Sequence, residues 1–408
     1  MKNRKITYRL YPSQQQIKML LEQSVLHQRV YNAALEDRIH FYETEKKSLN
    51  FVTQCKQLTI WRAQNKELAG MNAQSLQVTL KRLDLAFQAF FRRVKNGETP
   101  GFPRFKSLQR FRGWGYKSHG DGWRLFPNEK KPHGKLRLSG IGMISMRGKA
   151  RTLGKPKTCE IICKSGKWYA SITVECEPKR ISGKKAVGFD WGIETFLMLY
   201  DSNGKAEEIS NPRHVRSSLK KLKILQQSVA RKTNKNSHHR KKSIKKVSQL
   251  HAKIANRRKD FQHQLTARII KENALIAAET LSVKSMTVKA GARKCGLNRE
   301  ILSTAPASFY QLLKTKAEEA GSIWVDIPTR EVKPSQTCHQ CGTQKKKLLS
   351  ERWHQCECGA NCSRDENAAR VILNWALKQV SGQELASMGS RSCFTAMNHE
   401  TPTIPFFG

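Results

Sequence analysis

Apolar and polar residues alternate through Ile6, Tyr8 and Leu10, a period of two that predicts a strand stopped by Pro12. Ser13 and Gln16 then stand three apart as a capping box, and residues 13 to about 96 read as helical throughout. The clearest stripe covers 73–95, where Leu76, Leu80, Leu83, Phe87, Phe90 and Val94 fall at spacings of four, three, four, three and four. Gly and Pro in "NGETPGFPRF" end the helical region. From about 104 to 182 the texture changes to short runs such as "KLRLSG" and "KWYASITVECE", which predict a β-rich domain, a barrel completed by the N-terminal strand.

A third region starts near 185, where "KAVGFDWG", "TFLMLYDSNG" and "KAEEIS" predict three strands with a turn at Ser202-Asn203-Gly204. Leu219, Leu222, Leu225 and Val229, then Ile244, Val247, Leu250 and Ile254, predict a helical hairpin whose turn is "KTNKNSHHRKK". Next come a buried strand, "ALIAAETL", that delivers Glu279, a helix over 307–320 and the strand "SIWVDIP". After about 381 no periodicity remains, and a disordered tail is expected.

Charge changes this picture. The 408 residues, enough for two or three domains, carry 75 Lys and Arg against 32 Asp and Glu, a net charge of +43. So large an excess repels itself unless a polyanion neutralises it, and nucleic acid is the usual one. Residues 211–260 hold 17 Lys or Arg and the single acid Asp260, so Lys220, Lys221, Arg231, Arg240, Lys241, Lys242, Arg257 and Arg258 are expected along phosphates. "RFKSLQRFRGWGYKSHGDGWRLF" interleaves Phe105, Phe111, Trp114, Tyr116, Trp123 and Phe126 with Arg104, Lys106, Arg110, Arg112, Lys117 and Arg124. That pattern suits either a single-strand grip, with bases stacked on the rings, or a barrel core with snorkelling basic neighbours. No apolar run approaches the roughly 20 residues of a membrane span, and a cytoplasmic, nucleoid-associated protein is expected. Five of the 11 cysteines lie between 338 and 362, which points to a metal in a reducing compartment rather than to a disulfide framework.

Cys338-x-x-Cys341 and Cys356-x-Cys358 supply four thiolates in two close pairs, the ligand set of a closed, structural tetrahedral zinc. His339, His354 and Cys362 stand nearby as substitutes. Ser363 and Glu366 form a second capping box, which puts Asp365 in the first turn of the helix "AARVILNWAL". Such an aspartate is ordinarily no more than a favourable charge at the helix dipole. Its company changes that, because Asp190 ends the first strand of the third region and Glu279 the fourth. Three carboxylates meeting on one rim suit two magnesium ions. In phosphodiester hydrolysis one acidifies the attacking water and the other takes up charge on the leaving oxygen.

Asp190 in "GFDWGI", Glu279 in "IAAETL" and Asp365 in "SRDENAA", with the cysteine knuckle just before the last, resemble the RuvC-type RNase H nuclease of the TnpB family. "YRLYPSQQQ", "YNAAL", "LQVTLKRLDLAFQAFF", "GFPRFKS" and "KDFQHQLT" resemble family segments in family order, over about residues 5–378. The resemblance implies an α+β multidomain fold. A wedge-type, OB-like β-barrel (1–12 and 98–182) would hold an inserted helical recognition domain (13–97). A RuvC-like α/β domain (183–334 and 360–380) would contain the basic hairpin (211–272) and a zinc-finger insert for target nucleic acid (335–359). It further implies an RNA-guided DNA endonuclease that binds a transposon-end guide RNA, as a monomer in the RNA complex. The target would be double-stranded DNA beside a short adjacent motif, with Gln77 a candidate reader of that motif. Sequence choice is then left to base pairing. Trp191 and Thr280 depart from the family's commoner residues, and the second cysteine pair is one residue short, but no metal ligand is lost. A guide-RNA-dependent DNA-binding repressor or transposition accessory factor with an idle site is the alternative, and a DNA-only nuclease reading junction shape a third. The presence of all three acids favours cutting.

Overall fold

Ser13 caps the first helix of the computed structural model from both sides: its hydroxyl accepts from the Gln16 N–H at 3.2 Å, and the Gln16 side chain accepts from its own N–H at 3.0 Å. The structure describes residues 2–127, 133–147, 154–177, 180–288, 291–348 and 350–380, so the expected disordered tail, 381–408, lies outside the described residues. Two units, Met1–Glu177 and Pro178–Gly408, make up the chain.

In the first unit, β1 (Lys2–Tyr11) leads into α1 (Gln14–Glu45), α2 (Phe51–Gln64), α3 (Lys66–Ala69) and α4 (Ala73–Lys95). The stretch expected to be helical throughout is therefore broken three times. Asn50, Asn65 and Asn72 make the breaks, each accepting from a backbone N–H of the helix it starts. Leu76, Leu80, Leu83 and Phe87 bury the stripe of α4, while Val94 at its end is exposed. His27 of α1 is fully buried, with Nδ1 2.8 Å from the Thr79 hydroxyl of α4 and its ring stacked on Trp114. Burial, helped by Arg82, pulls its pKa down to about 3, so it stays a neutral polar pin.

The strands β2 (Gly113–Tyr116), β3 (Trp123–Phe126), β4 (His133–Leu138), β5 (Gly142–Arg147), β6 (Lys155–Lys164) and β7 (Lys167–Cys176) join β1 in an antiparallel sheet of seven, ordered β2-β6-β7-β1-β5-β4-β3. The hydrogen-bonded order ends at β2 and β3, yet Trp114 and Tyr116 from one end share a core with Trp123 from the other. These rings, and Phe111 in the helical core, are buried and unavailable to bases; Phe105 and Phe126 alone of the six remain exposed. Burying such large rings outweighs any gain from stacking in solvent.

In the second unit, β8 (Lys185–Trp191), β9 (Thr195–Asp201) and β10 (Ala206–Ser210) form an antiparallel meander. Asp201 accepts from the N–H groups of Asn203 and Lys205 to shape the second turn. After α5 (Leu219–Ala230) and α6 (His238–Glu272), β11 (Asn273–Glu279) runs parallel to β8. The hairpin turn is shorter than expected, because Ser237 accepts from the Arg240 N–H and starts α6 at once. Ile244, assigned to its apolar stripe, is exposed, since α5 offers it no fully buried partner. There follow α7 (Val283–Met286), α8 (Ala292–Thr304), α9 (Pro306–Ala320), β12 (Ile323–Ile327), α10 (Thr329–Val332), the ribbon β13 (Trp353–Gln355) and β14 (Asn361–Ser363), and α11 (Arg364–Gln379). No apolar stripe announces α8.

The sheet order is β10-β9-β8-β11-β12. One face, with Val187, Phe189, Ile276 and Ala278, packs on Phe309 and Leu313 of α9 and Leu265 and Ile269 of α6. The other, with Ala186, Leu275 and Ala277, packs on Ile372, Leu373 and Ala376 of α11. At Gly188 the helix comes so close that a Cβ would stand 2.5 Å from the Ala369 carbonyl oxygen and 2.6 Å from the Leu373 nitrogen. Both are backbone atoms and cannot swing away. Gly188→Ala should therefore cost roughly 1–3 kcal/mol by overpacking, seen as a Tm several degrees below wild type in thermal unfolding.

Candidate active site

Parallel pairing sets Phe189 of β8 opposite Ala278 of β11, so the next residue on each strand, Asp190 and Glu279, reaches the same rung at the carboxyl edge of the sheet. Strand alternation places Asp190 on the face of Ala186 and Gly188, and Glu279 on the face of Leu275 and Ala277. That face is the one α11 covers. Asp365 stands in the first turn of α11, where the Ser363 hydroxyl accepts from the Glu366 N–H at 3.2 Å. The expected box closes only by half, because the Glu366 carboxylate pairs with Arg370 instead.

Asp190 feels the other two acids. Loss of water pushes the Asp190 carboxyl well above the usual carboxylate range, and the negative charges of Glu279 and Asp365 push it further, against a weaker pull from the Trp191 N–H and Arg364. Burial raises Glu279 to about 7. Like charges crowded and dehydrated in this way cost the fold stability once ionised, and a cation relieves that cost. Among the described residues, the groups of three or more donors gathered within 4.8 Å both lie in the cysteine knuckle, so the three acids do not close to that spacing. Tyr310 of α9 is a neighbour that pattern reading does not reveal, since it sits within a core stripe. Its hydroxyl is buried without a hydrogen bond, and burial followed by the charges of Asp190 and Glu279 raises its pKa.

In the knuckle, Cys338 Sγ lies 3.6 Å from Cys358 Sγ, and Cys341 Sγ 3.6 Å from Cys356 Sγ. A disulfide needs about 2.05 Å, whereas thiolates about 2.3 Å from a tetrahedral ion stand about 3.8 Å apart. The four sulfurs fit a metal. A hydrogen bond with Thr343 pulls Cys341 down to about 6, toward the thiolate that a metal requires. Cys338, His339 and His354 also gather within 4.8 Å. His339 is engaged elsewhere, however, with Nδ1 3.0 Å from Asn367 Oδ1 and Nε2 3.0 Å from Arg370 Nη1. His354 contacts Lys347, and Cys362 is buried outside the sulfur tetrad. Asn367, fully buried in α11, accepts from the His339 N–H at 3.1 Å and donates to the carbonyls of Thr337 at 2.7 Å and Pro334 at 3.3 Å. The knuckle is thus bolted to the turn that carries Asp365.

The basic candidates divide. Arg104, Arg110, Arg112 and Lys117 are exposed, as are Lys220, Lys221, Arg231, Lys241, Lys242 and Arg257, and Gln77 faces solvent on α4. Lys106 turns inward: its N–H donates to Asn32, its ammonium lies 4.1 Å from the centre of the Tyr31 ring, and burial lowers its pKa. Arg240 donates to the Lys232 carbonyl at 2.9 Å, and Arg258 to the Ser303 carbonyl at 3.0 Å, so these two staple the hairpin turn and the end of α8. Carbonyls left open at helix ends and turns compete with phosphate for such guanidinium groups. Among the described residues no helix is long and apolar enough to cross a membrane.

A family model described as a probable transposase matches residues 170–289, one described as a Cas12f1-like TNB domain matches 307–372, and one described as a helix-turn-helix domain matches 1–47. Over the last span the structure has a strand and one continuous helix. A Streptomyces pristinaespiralis protein named as an RNA-guided DNA endonuclease is 33% identical over 383 residues, covering 91% of this chain and 88% of the relative. InsQ of Escherichia coli K12, similarly named, is 29% identical over 362 residues, covering 84% and 85%. Of the solved structures that resemble it, a Cas12f1–sgRNA–target DNA complex superposes with a TM-score of 0.55 at 13% identity, over 91% of this chain and 99% of that one. The mini-RNA-guided endonuclease CRISPR-Cas_phi3 gives 0.52 at 9% identity, over 92% of each. At such identities the likeness is one of fold.

Asn367→Ala leaves the His339 N–H and the Thr337 carbonyl without their partner. A loss of more than about 2 kcal/mol is expected, measured by denaturant unfolding, together with faster hydrogen exchange in the first turns of α11.

Proposed function

The chain belongs to the TnpB family, and from that premise we propose that it is an RNA-guided DNA endonuclease that hydrolyses target phosphodiesters where Asp190, Glu279 and Asp365 meet. The observation that carries the site assignment is geometric: Asp190 and Glu279 end neighbouring parallel strands on one rung, on the sheet face that α11 covers, and Asp365 stands in the first turn of α11. Three antiparallel strands followed by two parallel ones support an RNase H-like, RuvC-type assignment for 183–334 and 360–380, with 335–359 as its zinc-finger insert. The antiparallel sheet, over 1–12 and 98–182, takes the part of the wedge barrel, and 13–97 that of the recognition domain.

Asp190, Glu279 and Asp365 would hold two magnesium ions, and Cys338, Cys341, Cys356 and Cys358 one structural zinc. When bound, the magnesium pair supplies an acidified water and a counter-charge for the leaving oxygen. The protein's own part is to hold its acids at fixed places on one rim. β8 and β11 fix two by register, and α11 fixes the third by lying on Gly188. Arg364, held by its bonds to the Leu348 and Glu351 carbonyls, softens the repulsion at Asp190. Hard oxygen ligands at the rim and thiolates in the knuckle keep the two metals from exchanging places.

The guide RNA is a transposon-end transcript, and the target a duplex beside a short motif that Gln77 helps to read. The exposed cations Lys220, Lys221, Lys241, Lys242 and Arg257 would follow nucleic-acid backbone without reading sequence. The protein would act as a monomer on its RNA, among nucleic acid in a prokaryotic cytoplasm. A guided repressor with an idle site is the less favoured reading, since all three acids are present and Asp190 and Glu279 share one rung of the sheet.

Asp190→Ala should lower cleavage of a plasmid target by roughly a thousandfold or more while RNA co-purification and target binding persist; cleavage at the wild-type rate overturns the site assignment. Elemental analysis should find one zinc per chain, and Cys356→Ser should lose it and unfold at a lower temperature.

A further inference from the structure

The stripe of α4 outlives the core that it serves. Past Phe87 the helix carries its apolar face into solvent: Phe91 and Val94 are each 52% exposed, and Phe102, folded back from the following loop, is 49% exposed. Phe90 sits between them, its ring centre 5.2 Å from that of Phe91 and 5.3 Å from that of Phe102, both edge to face. The outer rings, Phe91 and Phe102, thus keep about half of their surface in solvent. Beside this cluster stand Arg92 and Arg93, and among the described residues no carboxylate lies within ion-pair distance of either. A helix C-terminus favours cations, which accounts for the charge but not for the bare rings.

Resting on the RNA-guided assignment above, we propose that Phe91 and Phe102 form a stacking platform for unpaired nucleotides of the guide RNA, with Arg92 and Arg93 on the flanking phosphates. Aromatic faces with adjacent unneutralised guanidinium groups match a base and its backbone, and a duplex keeps the faces of its bases hidden. A displaced DNA strand presents open faces only after target opening. The free chain's charge of +43 must be matched before then, by the RNA it already carries.

The full chain, freed of nucleic acid at high salt, is titrated with three probes: its co-purifying RNA transcribed in vitro, oligo(U)20 and oligo(dT)20. Phe91→Ala combined with Phe102→Ala should weaken both RNAs by tenfold or more, and Phe91→Tyr with Phe102→Tyr should restore them to within about twofold. Arg92→Gln should reduce the slope of log affinity against log salt by about 0.7. Unchanged RNA affinity in the alanine pair overturns the platform, as does a loss confined to oligo(dT)20. So does a wild-type dimer that the alanine pair dissociates, since the patch would then join two copies. Should Phe102→Ala unfold the chain, Phe91→Ala alone carries the same test, because that ring is half exposed at the edge of the cluster, against Phe87 and Phe90. If wild type binds none of the RNAs, the RNA-guided assignment itself fails.

Discussion

The close approach of α11 to β8 at Gly188 is the constraint on which the second unit depends. A helix lying backbone to backbone on a strand buries Ile372, Leu373 and Ala376 against Ala186, Leu275 and Ala277. The same contact sets how far along the sheet the first turn of the helix reaches, and so where Asp365 stands relative to Asp190. Any residue larger than glycine at 188 would loosen both at once. Packing and chemistry are here one feature, which is why a site so rich in repulsion can persist inside a stable sheet.

The chain carries +43, yet at the rim it gathers three acids and strips water from two of them. Elsewhere several carboxylates are paired with cations, as Glu160 is with Lys5 and Arg82, or Asp84 with Arg38 and Lys81. A local excess of negative charge within a basic protein is costly unless a cation is part of the working state, and nucleic acid brings both the substrate and its counterions. Asn367 and His339 join this rim to the cysteine tetrad, so the order of the knuckle and the placement of Asp365 rest on one set of hydrogen bonds.

Much was legible from pattern alone where the cause is local. The strand around Tyr8, the capping box at Ser13, the stripe of α4 from Leu76 to Phe87 and the spacing of the four cysteines each follow from dihedral preference, side-chain period or ligand reach within a few residues. Even the misreadings were of this kind. The asparagines that divide the first helical stretch, and Ser237 at the start of α6, are visible helix caps that periodicity passes over.

Tertiary structure decided what depends on partners distant in the chain. Lys106 meets Asn32 and Tyr31, Arg258 meets the end of α8, and Trp114 shares a core with Trp123 from the opposite end of a sheet; composition marked all three as candidates for nucleic acid, and packing took them. The sequence by itself determined which residues are chemically able to bind metal and which elements carry them. Where Asp190, Glu279 and Asp365 lie along the rim depends on the parallel register of β8 and β11 and on the seating of α11. A shift of one residue in that register would turn Glu279 to the other face, and no local pattern in the chain specifies the register.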